Sequence, residues 1–416
     1  MIYRNYTNCH IIFCIALSFL LFDFLSCNSN VESKIGVIAS SASVSSDVQN
    51  VNGEVWLDTQ GNAIQTHDGI LYYQGKYYWY GLDYSKNLIN GGTGGFKAIK
   101  CYESEDLVNW TFKNNVLTSS SSIILNNCDI NTVRVLYNPN THKFVMWMGF
   151  NTSYRRGTSL SYWTLRSSHN KLFLNETLCA TSNSPFGSFD VENSSFSVNG
   201  GAALTTLFQD NDGTAYCLDW ANYNNSWRLY INKLSSDYLG IEKNVALLYP
   251  ETYVGRTSII HKGDFYYLFT ASFVGELDGG ANSSLGSSAN DGWLDYHFTY
   301  FDFYRNSSIS TPVPYTGVRY AWSTSIEGPW SDLMTFGKNG ETLNSYEFND
   351  VIKVQGSEDV SYILTFNNWN TSDLSSSGYV WQPLSFKQSS TLFYEPYFEE
   401  YSKITIDAAK GTILAE

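Results

Sequence analysis

The chain has 416 residues, a formal charge of −14, and 15% charged against 16% aromatic residues. An acidic balance of that size repels phosphate backbones and anionic lipid heads, which tells against nucleic acid or a membrane surface as partner. Few charges and abundant Tyr, Trp, Phe, Asn, Ser and Gly favour many strands and turns over long helices, and one large all-β fold can fill this length.

Arg4 followed by the apolar run Ile11–Phe24 reads as a signal peptide over residues 1–27, too short for a comfortable membrane span, so none is expected in the mature chain. Phe24-Leu25-Ser26-Cys27 loosely resembles a bacterial lipoprotein box with the wrong first residue; a lipid anchor and an uncleaved anchor are the alternatives. Residues 28–53 are Ser/Val/Asn-rich without periodicity and are expected to form a disordered leader. Cys101, Cys128, Cys179 and Cys217 remain, and an even number in a secreted chain favours two disulfides in one of three connectivities. Acceptor motifs at Asn109, Asn151, Asn175, Asn193, Asn224, Asn282, Asn306 and Asn370 agree with a secreted or cell-surface glycoprotein.

From Val55 to Ser85 a polar loop carries Asp58, Asn62, Gln65, His67 and Asp68 toward the strand Ile70–Tyr73, which turns at Gln74-Gly75 into Lys76–Gly81. The same strand–turn–strand pattern recurs at Val133–Phe150, Thr205–Trp220, Thr257–Phe273 and Asp350–Trp369. A further element trails each hairpin: Tyr102–Trp110, Thr181–Phe189, Asn232–Leu239, Ser323–Trp330 and Tyr379–Phe386. Five such units predict a five-bladed β-propeller forming one domain over residues 54–416, with a pair of sandwiches as the alternative. Insertions at Arg155–Thr177 and from Gly275 to about Thr316 account for the uneven spacing, and loops of that length in a compact domain are usually functional or disordered.

The runs DTQGNAIQTH, GILYYQGKYYWYG and CYESEDLVNW resemble the first blade of glycoside hydrolase family 43, closest to the branch of exo-acting galactan 1,3-β-galactosidases. VRVLYNPNTHKFVMWM, ATSNSPFGSF, TLFQDNDGTAYCL, GVRYAWSTSIEGPWSD and NNWNTSDLSSSGYVWQPLSF extend the resemblance in order over roughly residues 54–407. It implies a pocket on the propeller axis and a galactan-type glycan as partner. No cofactor is expected, because His67 and scattered asparagines lack a metal-ligand spacing.

Inverting hydrolysis needs a carboxylic acid on the leaving oxygen and a base that activates water across the ring. Carried residue by residue, the resemblance places His67 where the galactan branch has a histidine, and Asp68 where it has a glycine. Its second-blade glutamate falls on Asn131, its pKa-tuning aspartate on Leu204, and its general acid on Gly255 beside Arg256. A looped-out register would instead bring Glu251 to the acid position. The fifth-blade glutamine that stands in for a base becomes Glu347, and the sugar-binding Arg-Trp-Asn becomes Asn368, Trp369 and Asn370.

Two readings follow. One is a degenerate hydrolase kept for glycan binding, with Gln65, His67, Asn131, Arg256, Trp369 and Asn370 as contacts. The other is an active exo-glycosidase with a rewired site, using Glu347 as base and Asp68 or Glu251 as acid. A scaffold protein acting through the 275–316 insertion is a third class. Tyr78, Tyr80 and Trp381 are expected to pack blade against blade.

Overall fold

The computed structural model describes residues 50–86, 96–125, 128–152, 176–194, 202–223, 226–248, 254–273, 315–389 apart from 342, 344 and 371, and 393–415. The segment expected to be a signal peptide, most of the expected leader, Glu251 and nearly all of both insertions lie outside the described residues. The described residues belong to one compact unit, Asp47–Glu416.

A short strand β1 (Asn50–Val51) precedes five antiparallel sheets. Blade 1 contains β2 (Ile70–Tyr73), β3 (Lys76–Leu82), β4 (Ala98–Ser104) and β5 (Thr111–Thr118). Blade 2 contains β6 (Cys128–Asn138), β7 (Lys143–Thr152), β8 (Glu176–Ser182) and β9 (Asp190–Ser194). Blade 3 contains β10 (Ala202–Gln209), β11 (Ala215–Tyr223), β12 (Ser226–Leu234) and β13 (Ile241–Leu248). Blade 4 has β14 (Val254–Lys262), β15 (Phe265–Phe273) and β16 (Tyr315–Ser323), with a single bridge from Tyr320 to Met334 in the fourth-strand place. Blade 5 contains β17 (Glu347–Gln355), β18 (Val360–Asn368), β19 (Gly378–Gln388) and β20 (Tyr394–Tyr397). A small outer sheet joins β1 to β21 (Lys403–Asp407) and β22 (Thr412–Ala415).

All five expected hairpins form the inner pairs of the five-bladed propeller. The trailing motifs need correction. Four of the five straddle the end of a third strand and the turn after it, so a complete blade has four strands. Their serines explain the recurrence. Ser104, Ser182 and Ser323 each end a third strand and accept a backbone N–H from the turn that follows.

The core divides into five clusters, one at each blade interface. Tyr80, Val133 and Met146 lie between blades 1 and 2, and Trp147, Leu204 and Cys217 between 2 and 3. Phe208, Leu218 and Leu268 fill the next interface, and Phe269, Phe348 and Phe366 the one after. Trp79, Trp110, Ile363 and Trp381 close blade 5 onto blade 1. Each large apolar side chain removed from water contributes about 1.5–3 kcal/mol. Tyr78, Tyr80 and Trp381 are core, as expected.

Closure of the ring uses residues expected to be leader. Asn50 and Val51 pair with Ile404 and Lys403, and Gly53 and Glu54 exchange backbone hydrogen bonds with Tyr379. Asn52 copies a strand with its side chain: Nδ2 donates to the carbonyls of Trp381 and Tyr401, and Oδ1 accepts from the Trp381 N–H. Residues before 54, the start expected from composition, are therefore part of the propeller.

The expected disulfides are absent among the described residues. Cys101, Cys128, Cys179 and Cys217 are buried free thiols packed as small apolar groups on strands of blades 1, 2 and 3. Among the described residues no helix is long and apolar enough to cross a membrane.

Candidate functional site

The polar loop before β2 reaches the axis only at its end. Asp58 closes its own turn, accepting the backbone N–H groups of Gln60 and Asn62. Gln65 holds the Tyr84 N–H with its side-chain oxygen. The loop then presses on β3 at Gly81, where a Cβ would collide with the backbone of Thr66 and His67. This close approach delivers His67 and Asp68 to the centre.

The other four blades meet the axis through a shared device. Each inner strand shifts register near its start: between Asn131 and Val133, Leu204 and Thr206, Val254 and Thr257, and Phe348 and Asp350. A bulge inserts one unpaired residue and re-aims its neighbours, and bulges are frequent beside active sites. The positions singled out in sequence, Asn131, Leu204, Gly255 and Glu347, all lie at or beside these bulges. Leu204 points away from the axis into the apolar interface with Trp147 and Val145. Gly255 offers no side chain. Asn131 pairs with Gly149 through its backbone, and its side chain, like Glu251, lies outside the described residues.

Arg256 occupies the centre of a network joining the blades. Its Nη1 donates to Asp68 Oδ1 at 2.8 Å, to Asn349 Oδ1 at 3.0 Å and to the His67 carbonyl at 3.2 Å. Its Nε lies 3.3 Å from Glu347 Oε1. Arg134 of blade 2 donates through Nη2 to the carbonyl and side-chain oxygens of Asn349 and through Nε to Thr206 of blade 3, with Asp68 Oδ1 at 3.6 Å and Asp350 Oδ2 at 3.8 Å. Every blade contributes a residue. Burial alone would lower the Arg256 pKa, but Glu347 and Asp68 hold it above its ordinary value. Burial depresses that of Arg134, with Asp350 and Asp68 opposing.

The second part of the site is aromatic. The His67 ring lies between Tyr379, stacked at 4.5 Å, and Trp369 at 4.4 Å, with Tyr84 edge-on. Burial, aided by the Arg256 charge and opposed by a hydrogen bond with Asn367, lowers the His67 pKa to about 3. The imidazole is therefore neutral at ordinary pH and backs the Trp369 indole, itself only half-buried. Trp369 Nε1 donates to Glu347 Oε2 at 2.8 Å, and Asn367 Nδ2 donates to the same oxygen at 3.1 Å. Asn370, although next to Trp369, turns its side chain to Ser372 and Ser376.

The site thus brings together His67, Asp68, Arg256, Glu347 and Trp369, while Gln65 and Asn370 support local loops. The Asp68 side chain is 0% exposed behind Arg256, and its Oδ2 is a buried acceptor without a partner among the described residues. In an inverting hydrolase the two carboxyl groups leave room for water between them, at about 6.5–9.5 Å. Here the guanidinium of Arg256 occupies the space between Asp68 and Glu347.

Sequence reasoning missed Arg134, Asn349, Asp350 and Asn367. The available signal was a polar residue inside an apolar inner strand, as at Arg134 between Val133 and Val135. It also missed Asp219, whose carboxyl burial raises to about 7 against a hydrogen bond from Asn232. Asp219 pairs in register with Leu204 and is buried within blade 3, outside the axial network.

Residues 62–293 match the model of glycosyl hydrolases family 43. Among solved structures, an exo-β-1,3-galactanase from Clostridium thermocellum is 27% identical with a TM-score of 0.66, covering 89% of this chain and 69% of its own. A variant of the exo-β-1,3-galactanase from Phanerochaete chrysosporium with β-1,3-galactotriose is 24% identical, with a TM-score of 0.64 and coverage of 88% and 70%. A family 43 β-1,3-galactosidase with galactodeoxynojirimycin is 21% identical, with a TM-score of 0.58 and coverage of 85% and 99%. No match was found among curated protein sequences.

Proposed function

We propose that this chain, which belongs to glycosyl hydrolase family 43, binds the terminal sugar of a galactan-type glycan without hydrolysing it. The observation carrying this reading is Arg256, which binds Asp68 and Glu347, the two described carboxylates that a rewired acid–base pair would use. General acid catalysis supplies roughly 10²–10⁴ in rate. Gly255 and Leu204 stand where the resemblance puts the acid and its tuner, and neither carries a proton-donating side chain.

Sugar binding needs a flat aromatic face and fixed polar groups beside it. Trp369, backed by His67 and fixed through Nε1, supplies the face, and Glu347 and Arg256 supply the polar groups. The relatives named for action on β-1,3-galactan make a terminal β-galactose the first ligand to test. A rewired hydrolase with Glu347 as base would need an acid within reach, and Asp68 lies fully buried on the far side of Arg256. Release from the cell through the amino-terminal segment is part of the same proposal and agrees with an extracellular glycan.

Calorimetric titration with β-1,3-galactobiose tests the binding half. Wild type is expected to bind, W369F to bind within about threefold, and W369A to lose at least tenfold, since an aromatic contact is worth about 0.5–1.5 kcal/mol beyond its area. Unchanged affinity in W369A would remove Trp369 from the site.

A further inference from the structure

Three carboxylates, Asp68, Glu347 and Asp350, surround two guanidinium groups, Arg134 and Arg256, at the axis. The neighbouring His67 is neutral, so the described residues give the pocket floor one net negative charge. The cations cannot turn to a new anion cheaply. Arg134 is wholly enclosed, and withdrawing Arg256 would strand the Asp68 carboxylate in a buried position. The acids nearer the opening are Glu347 and Asp350, with 12% and 18% of their side chains exposed. Among the described residues Nη2 of Arg256 has no hydrogen-bond partner, and a neutral hydroxyl accepts from it without adding charge.

We propose that the pocket selects uncharged terminal sugars against those bearing a carboxylate or sulfate, and that Glu347 sets this selection. The inference rests on the glycan-binding reading above and names the class of sugar admitted. Glu347 is the specificity-determining group because it combines the surplus charge with a direct hydrogen bond to the stacking indole. An acidic sugar on Trp369 meets that charge at close range, where like-charge repulsion in a partly wet cleft reaches roughly a tenfold loss of affinity. Glutamine at this position keeps an acceptor for Trp369 Nε1 and removes the charge.

The test compares methyl β-D-galactoside with methyl β-D-galacturonide, which differ at C6 alone, by calorimetric titration of the full chain at low and high NaCl. Wild type is expected to bind the galactoside at least about tenfold more tightly, with the gap shrinking as salt screens the floor. E347Q is expected to narrow the ratio of the two affinities whatever its effect on galactoside binding itself, and D350N to narrow it less. Equal or tighter galacturonide binding by wild type overturns the inference while leaving sugar binding intact. A gap unchanged in both variants also overturns it. Failure of wild type to bind either glycoside overturns the glycan-binding reading itself.

Discussion

R256M is expected to destabilise the propeller by about 3–5 kcal/mol, the usual cost of removing one partner from a buried ion pair. Methionine fills part of the volume but leaves Asp68 as a fully buried carboxylate, with, among the described residues, only Arg134 at 3.6 Å and one oxygen already unpartnered. It also releases Glu347 and Asn349, so blade 4 loses the Arg256 contacts that join it to blades 1 and 5 at the axis. The double variant D68N/R256M should recover much of the loss, because replacing both partners removes the stranded charge. Denaturant unfolding of the four corners of this cycle checks the expectation. A loss below about 1 kcal/mol in R256M would mean that the network does not join the blades energetically.

D219N is expected to make the protein markedly more stable at pH 8 while changing it little at pH 4. Burial raises the Asp219 carboxyl to about 7, with the hydrogen bond from Asn232 opposing, whereas an aspartate in the unfolded chain titrates near 3.9. Between these values the native state holds a proton that the unfolded state has released. Stability from Asp219 is therefore complete below about pH 4 and is lost as the pH rises through about 7. At about 1.4 kcal/mol per pH unit, the loss is on the order of 4 kcal/mol. Asparagine retains the acceptor for Asn232 and has no charge to bury. Unfolding midpoints of wild type and D219N between pH 4 and pH 8 should diverge with increasing pH; parallel curves would place the titration elsewhere.

The hairpins were readable because period-two apolar runs and Gly/Asn/Asp turns are local. Gln74 and Gly75 take positive φ where the turn between β2 and β3 was expected. Closure by Asn52 was not readable, since a side chain mimicking a strand leaves no periodic trace. The trailing motifs read as separate elements because each of three joins the apolar end of a third strand to a serine-capped turn. At the site, sequence counting reached the bulged positions, but a bulge has no compositional mark. Whether Arg256 faces the axis alone or between two carboxylates depends on blades brought together only by folding. Asp68 and Glu347, separated by nearly 280 positions, meet at one guanidinium. That meeting distinguishes an acid–base pair from two halves of an ion-pair network.

The most direct test is galactose release from β-1,3-galactobiose by purified full-length protein, measured beside E347Q over long incubation and across pH 4–8. The expected result is no release above the protein-free blank by either protein, with the disaccharide recovered intact at concentrations that saturate binding. Steady release by wild type, abolished in E347Q, would contradict a non-hydrolytic pocket and make Glu347 a catalytic carboxylate.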